Sequence, residues 1–78
     1  MNIIIYTKSN CPNCTTAKQL LKSKGLEYEE VKTDLNEATR WAFFSSYPDV
    51  KQMPFIVIND QRVGGLAGLQ AAFKQVGL

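Results

Sequence analysis

The first apolar block of the chain predicts a strand followed by a helix. Residues 2–7 form a short, continuously apolar, β-branched run, which is typical of a strand buried on both faces. Pro12 then suits the first position of a helix, and Gly25 suits the position just after its end. The apolar face of this helix is expected to comprise Ala17, Leu20 and Leu21, and its solvated face Lys18 and Lys22.

The middle of the chain predicts an edge strand and a second helix. Residues 26–33 alternate imperfectly and carry three glutamates, as an edge strand does. Either Asp34 or Asn36 can cap a helix that runs to about Ser46, where Tyr47 and Pro48 end it. The aromatic side chains here are expected to be core with one exposed ring. The apolar face of the helix is expected to comprise Ala38, Trp41, Ala42 and either Phe43 or Phe44.

The last third of the chain predicts a hairpin and a third helix. The strand Phe55–Ile58 leads through a turn at residues 59–61 into Arg62 and Val63. Gly64 and Gly65 then break the chain. Apolar residues recur after them at helical spacing, at Leu66, Leu69, Phe73 and Val76. The order β-α-β-α-β-β-α predicts one α/β domain over residues 1–78, with a right-handed parallel β-α-β crossover first and an antiparallel hairpin last.

Composition narrows the class of protein. The net charge of +2 arises from 9 basic and 7 acidic residues that are interspersed, which does not suggest a nucleic-acid surface. The short apolar run at the N-terminus has the character of neither a signal peptide nor a membrane span. We therefore expect a cytoplasmic protein, in a compartment where a close cysteine pair is more often catalytic or metal-binding than structural. We also expect a monomer.

The chain has 2 cysteines, Cys11 and Cys14, at the start of the first predicted helix. A dithiol at this place suits thiol–disulfide exchange, because the helix dipole favours a thiolate at its positive end. Pro12 at the first helical position and Lys8 upstream both support a low pKa for Cys11, the expected nucleophile, while Cys14 is expected to be the less exposed, resolving thiol. A structural zinc site needs four ligands, and the chain has no histidine. Inert core cysteines are the other alternative.

Three motifs make the chain resemble the glutaredoxins along its whole length. They are the segment YTKSNCPNC at residues 6–14, Met53-Pro54 before a strand, and Gly64-Gly65 before the last helix. The resemblance implies a thioredoxin fold, with a four-stranded mixed sheet and three helices. It also implies glutathione as co-substrate, no tightly bound cofactor, and protein or mixed disulfides as substrates. Reduction of a ribonucleotide reductase is one activity that the family implies.

The resemblance further implies a substrate-binding surface around the dithiol. Lys8 is expected to meet a glutathione carboxylate, and Pro54 to follow a cis peptide bond that turns the Met53 backbone toward the site, where an extended peptide could pair with it. Free N–H groups at the start of the last helix are expected to hold the γ-glutamyl carboxylate. The expected binding residues are Lys8, Pro12, Asn13, Met53, Pro54, Gly65, Leu66 and Ala67.

Two departures from the family pattern bear on how the protein is reduced. Asn13 replaces the tyrosine often found between the cysteines, and Gly68 replaces an acid that would pair with the substrate's ammonium, so Gly68→Asp is expected to restore that partner. Both departures favour one alternative, a glutaredoxin-like redoxin that thioredoxin reductase recharges. The other alternative is a dimer that uses Cys11 to bind a glutathione-bridged iron–sulfur cluster. Pro12 disfavours it, because cluster-binding members tend to carry a smaller residue there.

Overall fold

The computed structural model describes residues 2–77, and within them seven elements follow the expected order. The strands are β1 (Ile3–Thr7), β2 (Glu29–Lys32), β3 (Phe55–Ile58) and β4 (Gln61–Gly64). The helices are α1 (Pro12–Ser23), α2 (Glu37–Ser46) and α3 (Leu66–Val76). No helix in this described part is both long and apolar enough to cross a membrane.

The strands form a mixed sheet in the order β2-β1-β3-β4. The central strand β1 runs parallel to β2, with Ile4 opposite Glu29, and antiparallel to β3, with Ile5 opposite Ile56. The pairing of β3 with β4 is antiparallel, so both predicted strand pairings are confirmed. Strand β2 is an edge strand as predicted, but it is shorter than residues 26–33.

Each face of the sheet packs on its own hydrophobic cluster, because side chains alternate along a strand. One cluster joins the sheet to α1 and α3 and comprises Ile3, Ile5, Ala17, Leu21, Ile56, Leu69 and Phe73. The other joins it to α2 and comprises Phe43, Val50, Phe55 and Val57. In β1 the side chains of Ile4 and Tyr6 are only half-buried, so the prediction that this strand is buried on both faces was wrong for one face.

The end of α1 and the face of α3 follow the sequence pattern. Gly25 adopts a left-handed φ of 69°, its N–H donates to the Lys22 carbonyl at 3.0 Å, and the Leu26 N–H donates to the Leu21 carbonyl at 3.1 Å. These two bonds form the glycine-closed helix end that the sequence predicts. In α3, Leu69 and Phe73 are buried and Leu66 is half-buried; the Val76 side chain lies outside the described residues.

The second helix presents a different face from the one predicted. Of the residues of α2, all of which the structure describes, only Phe43 is buried, and its ring lies 4.7 Å from that of Tyr6. Ala38, Trp41 and Ala42 are exposed instead. Docking of Phe43 against the aromatic rings of β1 and β3 fixes this face. Two rings are therefore exposed rather than one, since Trp41 is 75% and Phe44 38% exposed.

The structure defines the residue that caps α2 and the length of the hairpin turn. The sequence left the first open and predicted a longer turn. Asn36, and not Asp34, caps α2, because its Oδ1 accepts the Thr39 N–H at 2.8 Å. The hairpin turn holds only Asn59 and Asp60, whose φ values are 51° and 65°. Both residue types tolerate positive φ, so a two-residue turn forms and Gln61 already belongs to β4.

Candidate active site

The sulfur of Cys11 caps the first helix. Cys11 is the N-cap residue of α1, with φ −123° and ψ 94°, and its Sγ accepts the Cys14 N–H at 3.1 Å. Serine, threonine, aspartate or asparagine usually supplies this acceptor through oxygen. Here a sulfur of the cysteine pair receives a helix N–H at the positive end of the dipole, which is the kind of environment that lowers a thiol pKa.

The two cysteines differ in accessibility. They form a disulfide across a Cα–Cα separation of 5.2 Å. Cys11 is half-buried, whereas only 2% of Cys14 is exposed. The outer and inner positions that the sequence predicts for the two sulfurs are thus both observed.

The loop before β3 and the start of α3 complete the surroundings of the dithiol. The Met53–Pro54 bond is cis, as the resemblance implied. The carbonyl oxygen of Met53 lies 3.5 Å from the Cys11 Sγ. A Cβ built at Gly65 would lie 3.5 Å from the Pro54 carbonyl oxygen, so the N-terminus of α3 sits against this same loop.

Two open grooves meet at Cys11. The first, of about 360 Å³, is lined by the predicted residues Lys8, Cys11, Pro12, Asn13 and Met53, and also by Gln52, which the sequence did not single out. The second, of about 440 Å³, continues past Cys14 to Lys18. The charged side chains that line these grooves, among the described residues, are lysines, which suits an anionic substrate. Residues 65–67 line neither groove.

An ion pair borders the second groove. Lys18 Nζ lies 3.1 Å from Glu30 Oε2, which also accepts the Thr7 hydroxyl at 2.8 Å. The Lys18 side chain is only 29% exposed, so its predicted place on the solvated face of α1 was wrong. Burial raises the pKa of Glu30, but hydrogen bonds from Thr7 and Lys18 outweigh it and lower that pKa. The spacing of four residues between Cys14 and Lys18 was the available sequence signal.

A carboxylate beyond β2 holds the loop that leads to Cys11. The Ser9 N–H donates to Asp34 Oδ2 at 2.9 Å, and this bond lowers the pKa of Asp34. Asn10 follows with a left-handed φ of 54°, which turns the chain into α1. The Thr33 N–H and hydroxyl both donate to the Thr7 carbonyl at 2.8 Å. Cys11 is thus positioned from β2 as well as from its own helix.

Because the folded pKa of Asp34 is depressed, the Ser9–Asp34 bond should persist at neutral pH and be lost as pH falls through that pKa. We expect the Ser9 amide proton resonance to report an ionisation whose midpoint lies below the ordinary aspartate value of about 3.9. Asp34→Ala should remove this titration, and Glu27→Ala, at an exposed site, should leave it unchanged. A midpoint at or above the ordinary value would contradict the assignment.

Gly68 permits the close approach of α3 to β4. A Cβ built at Gly68 would overlap the carbonyl oxygen of Val63 and lie 3.1 Å from its carbonyl carbon. The expectation that Gly68→Asp restores a substrate partner was therefore wrong, because the backbone leaves no room for a side chain there. The first turn of α3, all of it described, carries no acid.

Together, the sheet topology and a cysteine pair at the N-terminus of the first helix define a thiol–disulfide oxidoreductase of the thioredoxin fold. The comparisons with known proteins give the particular family. The family model described as "Glutaredoxin" matches residues 3–63 of the chain. The chain is 39% identical over 77 residues to Glutaredoxin 3 of Escherichia coli (strain K12), covering 99% of this chain and 92% of that relative. It belongs to the glutaredoxin family.

Solved structures agree with this assignment. Glutaredoxin 1 from Francisella tularensis superposes with a TM-score of 0.77 at 25% identity, covering 96% of this chain and 94% of the other. A thioredoxin-like protein superposes with a TM-score of 0.73 at 32% identity, covering 97% and 99%. The predicted thioredoxin fold and the predicted family are both confirmed.

Proposed function

We propose that this chain is a cytoplasmic, monomeric, glutathione-dependent glutaredoxin that reduces protein disulfides and glutathione mixed disulfides. The observation that carries the proposal is the Cys14 N–H bonded to the Cys11 Sγ at the N-cap of α1, with Cys14 buried behind it. This arrangement supports Cys11 as the nucleophile and Cys14 as the resolving thiol. Ribonucleotide reductase is one protein substrate that we propose, on the ground of family membership.

In the proposed cycle, the Cys11 thiolate attacks a substrate disulfide. A Cys11–substrate disulfide forms, and the other substrate sulfur leaves as a thiolate that takes up a proton. Cys14 then loses its proton and attacks the Cys11 Sγ, which releases the reduced substrate and leaves the Cys11–Cys14 disulfide. One glutathione thiolate opens this disulfide to give a Cys11–glutathione disulfide, and a second releases glutathione disulfide and restores the dithiol.

The surroundings of Cys11 support glutathione as the reductant. Lys8 lines both grooves and carries a positive charge, and glutathione carries two carboxylates. The backbone of Met53 lies beside Cys11, where an extended peptide could pair with it. The N–H groups of Leu66 and Ala67 begin α3, whose Gly65 N-cap supplies no side-chain partner, so they can bind a carboxylate.

Substitution of Lys8 tests the proposed carboxylate contact. Because Lys8 is exposed, its ion pair with glutathione is worth at most about 1 kcal/mol. Lys8→Gln should therefore raise the KM for glutathione by up to about fivefold. Lys24→Gln, an exposed lysine at the other end of α1, is the matched control and should leave the KM unchanged. Equal effects of the two substitutions would contradict a specific role for Lys8.

The source of electrons tests the proposal as a whole. We expect rapid turnover of a mixed disulfide with glutathione and glutathione reductase, and slow turnover with thioredoxin reductase alone. The reverse result would favour the alternative of a redoxin recharged by thioredoxin reductase. The absence of an acid from the fully described first turn of α3, and the likeness to a thioredoxin-like protein, are the observations on its side.

A further inference from the structure

The resolving step requires Cys14 to ionise, and the cap hydrogen bond of α1 does not stabilise its thiolate. Cys14 must be a thiolate to attack the Cys11 Sγ, yet it is 2% exposed, and burial in apolar surroundings disfavours a thiolate. The N-cap hydrogen bond serves Cys11, since it is the Cys14 N–H that donates to the Cys11 sulfur. A positive charge beside Cys14 would offset this cost of burial.

Lys18 is the cation placed to supply it. It lies four residues after Cys14 on α1, a spacing that brings two side chains onto the same helix face. Cys14 and Lys18 line the same groove beside Cys11. The ammonium is restrained, because Glu30 Oε2 accepts from it at 3.1 Å and is itself fixed by the Thr7 hydroxyl at 2.8 Å.

We propose that Lys18 stabilises the Cys14 thiolate during the resolving step, and that Glu30 is a positioning residue that holds the Lys18 ammonium at the groove. The proposal rests on the roles of Cys11 and Cys14 given above. In that step the proton of Cys14 passes to solvent, the Cys14–Cys11 S–S bond forms, and the Cys11–substrate S–S bond breaks. The released substrate thiolate takes up a proton, and the substrate disulfide consumed earlier is the only oxidant.

Other charged groups near this groove are less suited to the role. Lys8, on the preceding loop, is exposed at the mouth beside Cys11. Lys32 is exposed at the end of β2, and Asp34 is engaged by the Ser9 N–H. In α3, which packs on α1, the charged residue is Lys74 in the last turn. Lys18 is the half-buried cation of the set.

Lys18 and Glu30 carry opposite charges, so removing each charge in turn distinguishes an electrostatic effect on Cys14 from a structural effect of the ion pair. In a Cys11→Ser background, where Cys14 is the remaining thiol, its pKa is followed by thiolate absorbance and by alkylation rate against pH. Lys18→Met should raise that pKa by about one unit, a roughly tenfold smaller thiolate population below the pKa. Glu30→Gln keeps the hydrogen-bonding shape, removes a negative charge, and should lower the pKa.

Two matched variants complete the experiment. Lys18→Arg should restore the pKa of the parent, and Lys22→Met, at an exposed lysine one turn further along α1, should not change it. Shifts of the same sign for Lys18→Met and Glu30→Gln, or no shift in either, would overturn the proposal, because an ion pair that only supports the fold is lost equally in both. These measurements need no substrate, so their outcome is independent of whether glutathione is the reductant.

Discussion

Replacement of Cys11 by serine should abolish all thiol exchange, whereas replacement of Cys14 by serine should abolish only the dithiol route. The Cys11 sulfur is the more accessible of the two and receives the helix N–H, so we expect it to form the mixed disulfide. Cys14→Ser should still remove glutathione from a mixed disulfide, because that reaction needs one thiol. Reduction of a protein disulfide and deglutathionylation, measured side by side for both variants, separate the two routes.

Alkylation against pH assigns the two sulfurs without any substrate. Cys11 should react first, with an apparent pKa well below the ordinary thiol value of about 8.5. Mass spectrometry of the partly alkylated, reduced protein identifies which cysteine carries the label. If Cys14 is labelled first, or if the protein still removes glutathione from a mixed disulfide when Cys11 is serine, the assignment of nucleophile and resolving thiol is reversed.

Gly68→Asp should destabilise the protein by roughly 1–3 kcal/mol, the usual range for forcing atoms into a packed site. The added Cβ meets the backbone carbonyl of Val63, which cannot turn aside as a flexible side chain could. Ala67→Asp is the matched control, since Ala67 is exposed in the same turn of α3. There the acid should stabilise the helix by about 0.3–1 kcal/mol through the dipole.

Chemical denaturation of the two aspartate variants and of Gly68→Ala measures the difference. Gly68→Ala should lose stability as well, because the overlap begins at the Cβ and not at the carboxylate. A Gly68→Ala variant as stable as the parent would show that α3 can shift away from Val63. In that case the acid could be accommodated at position 68 after all.

The fold could be predicted wherever the signal was local. The glycine that ends α1, the proline that begins it and the apolar spacing of α3 each act within a few residues. The buried face of α2 could not be predicted, because Phe43 docks against Tyr6 and Phe55, which lie far away in the sequence. Apolar spacing on α2 alone favoured the face that carries Trp41, which is exposed.

In the site, too, local features could be predicted and contacts between distant residues could not. The position of Cys11 at the N-cap follows from Pro12 and from the strand before it. The Lys18–Glu30 pair and the Ser9–Asp34 bond join groups 12 and 25 residues apart. Both depend on the parallel pairing of β1 with β2, which brings Glu30 beside the first helix. The composition and charge of the sequence could not predict these two contacts, since each of the residues taken alone is typical of a solvent-exposed surface.

The cap of α1 also couples the stability of the helix to the reduction potential of the cysteine pair. The atom that accepts the Cys14 N–H is itself a sulfur of the redox-active pair, so each chemical state of Cys11 is also a state of the first helical turn. A thiolate is a stronger acceptor than a disulfide sulfur, so this turn is held most firmly in the reduced protein. By closure of the thermodynamic cycle, whatever the cap adds to the reduced fold beyond what it adds to the oxidised fold appears as oxidising power. A substitution that strengthens the cap on the thiolate more than the cap on the disulfide would therefore make the protein a stronger oxidant without changing either cysteine.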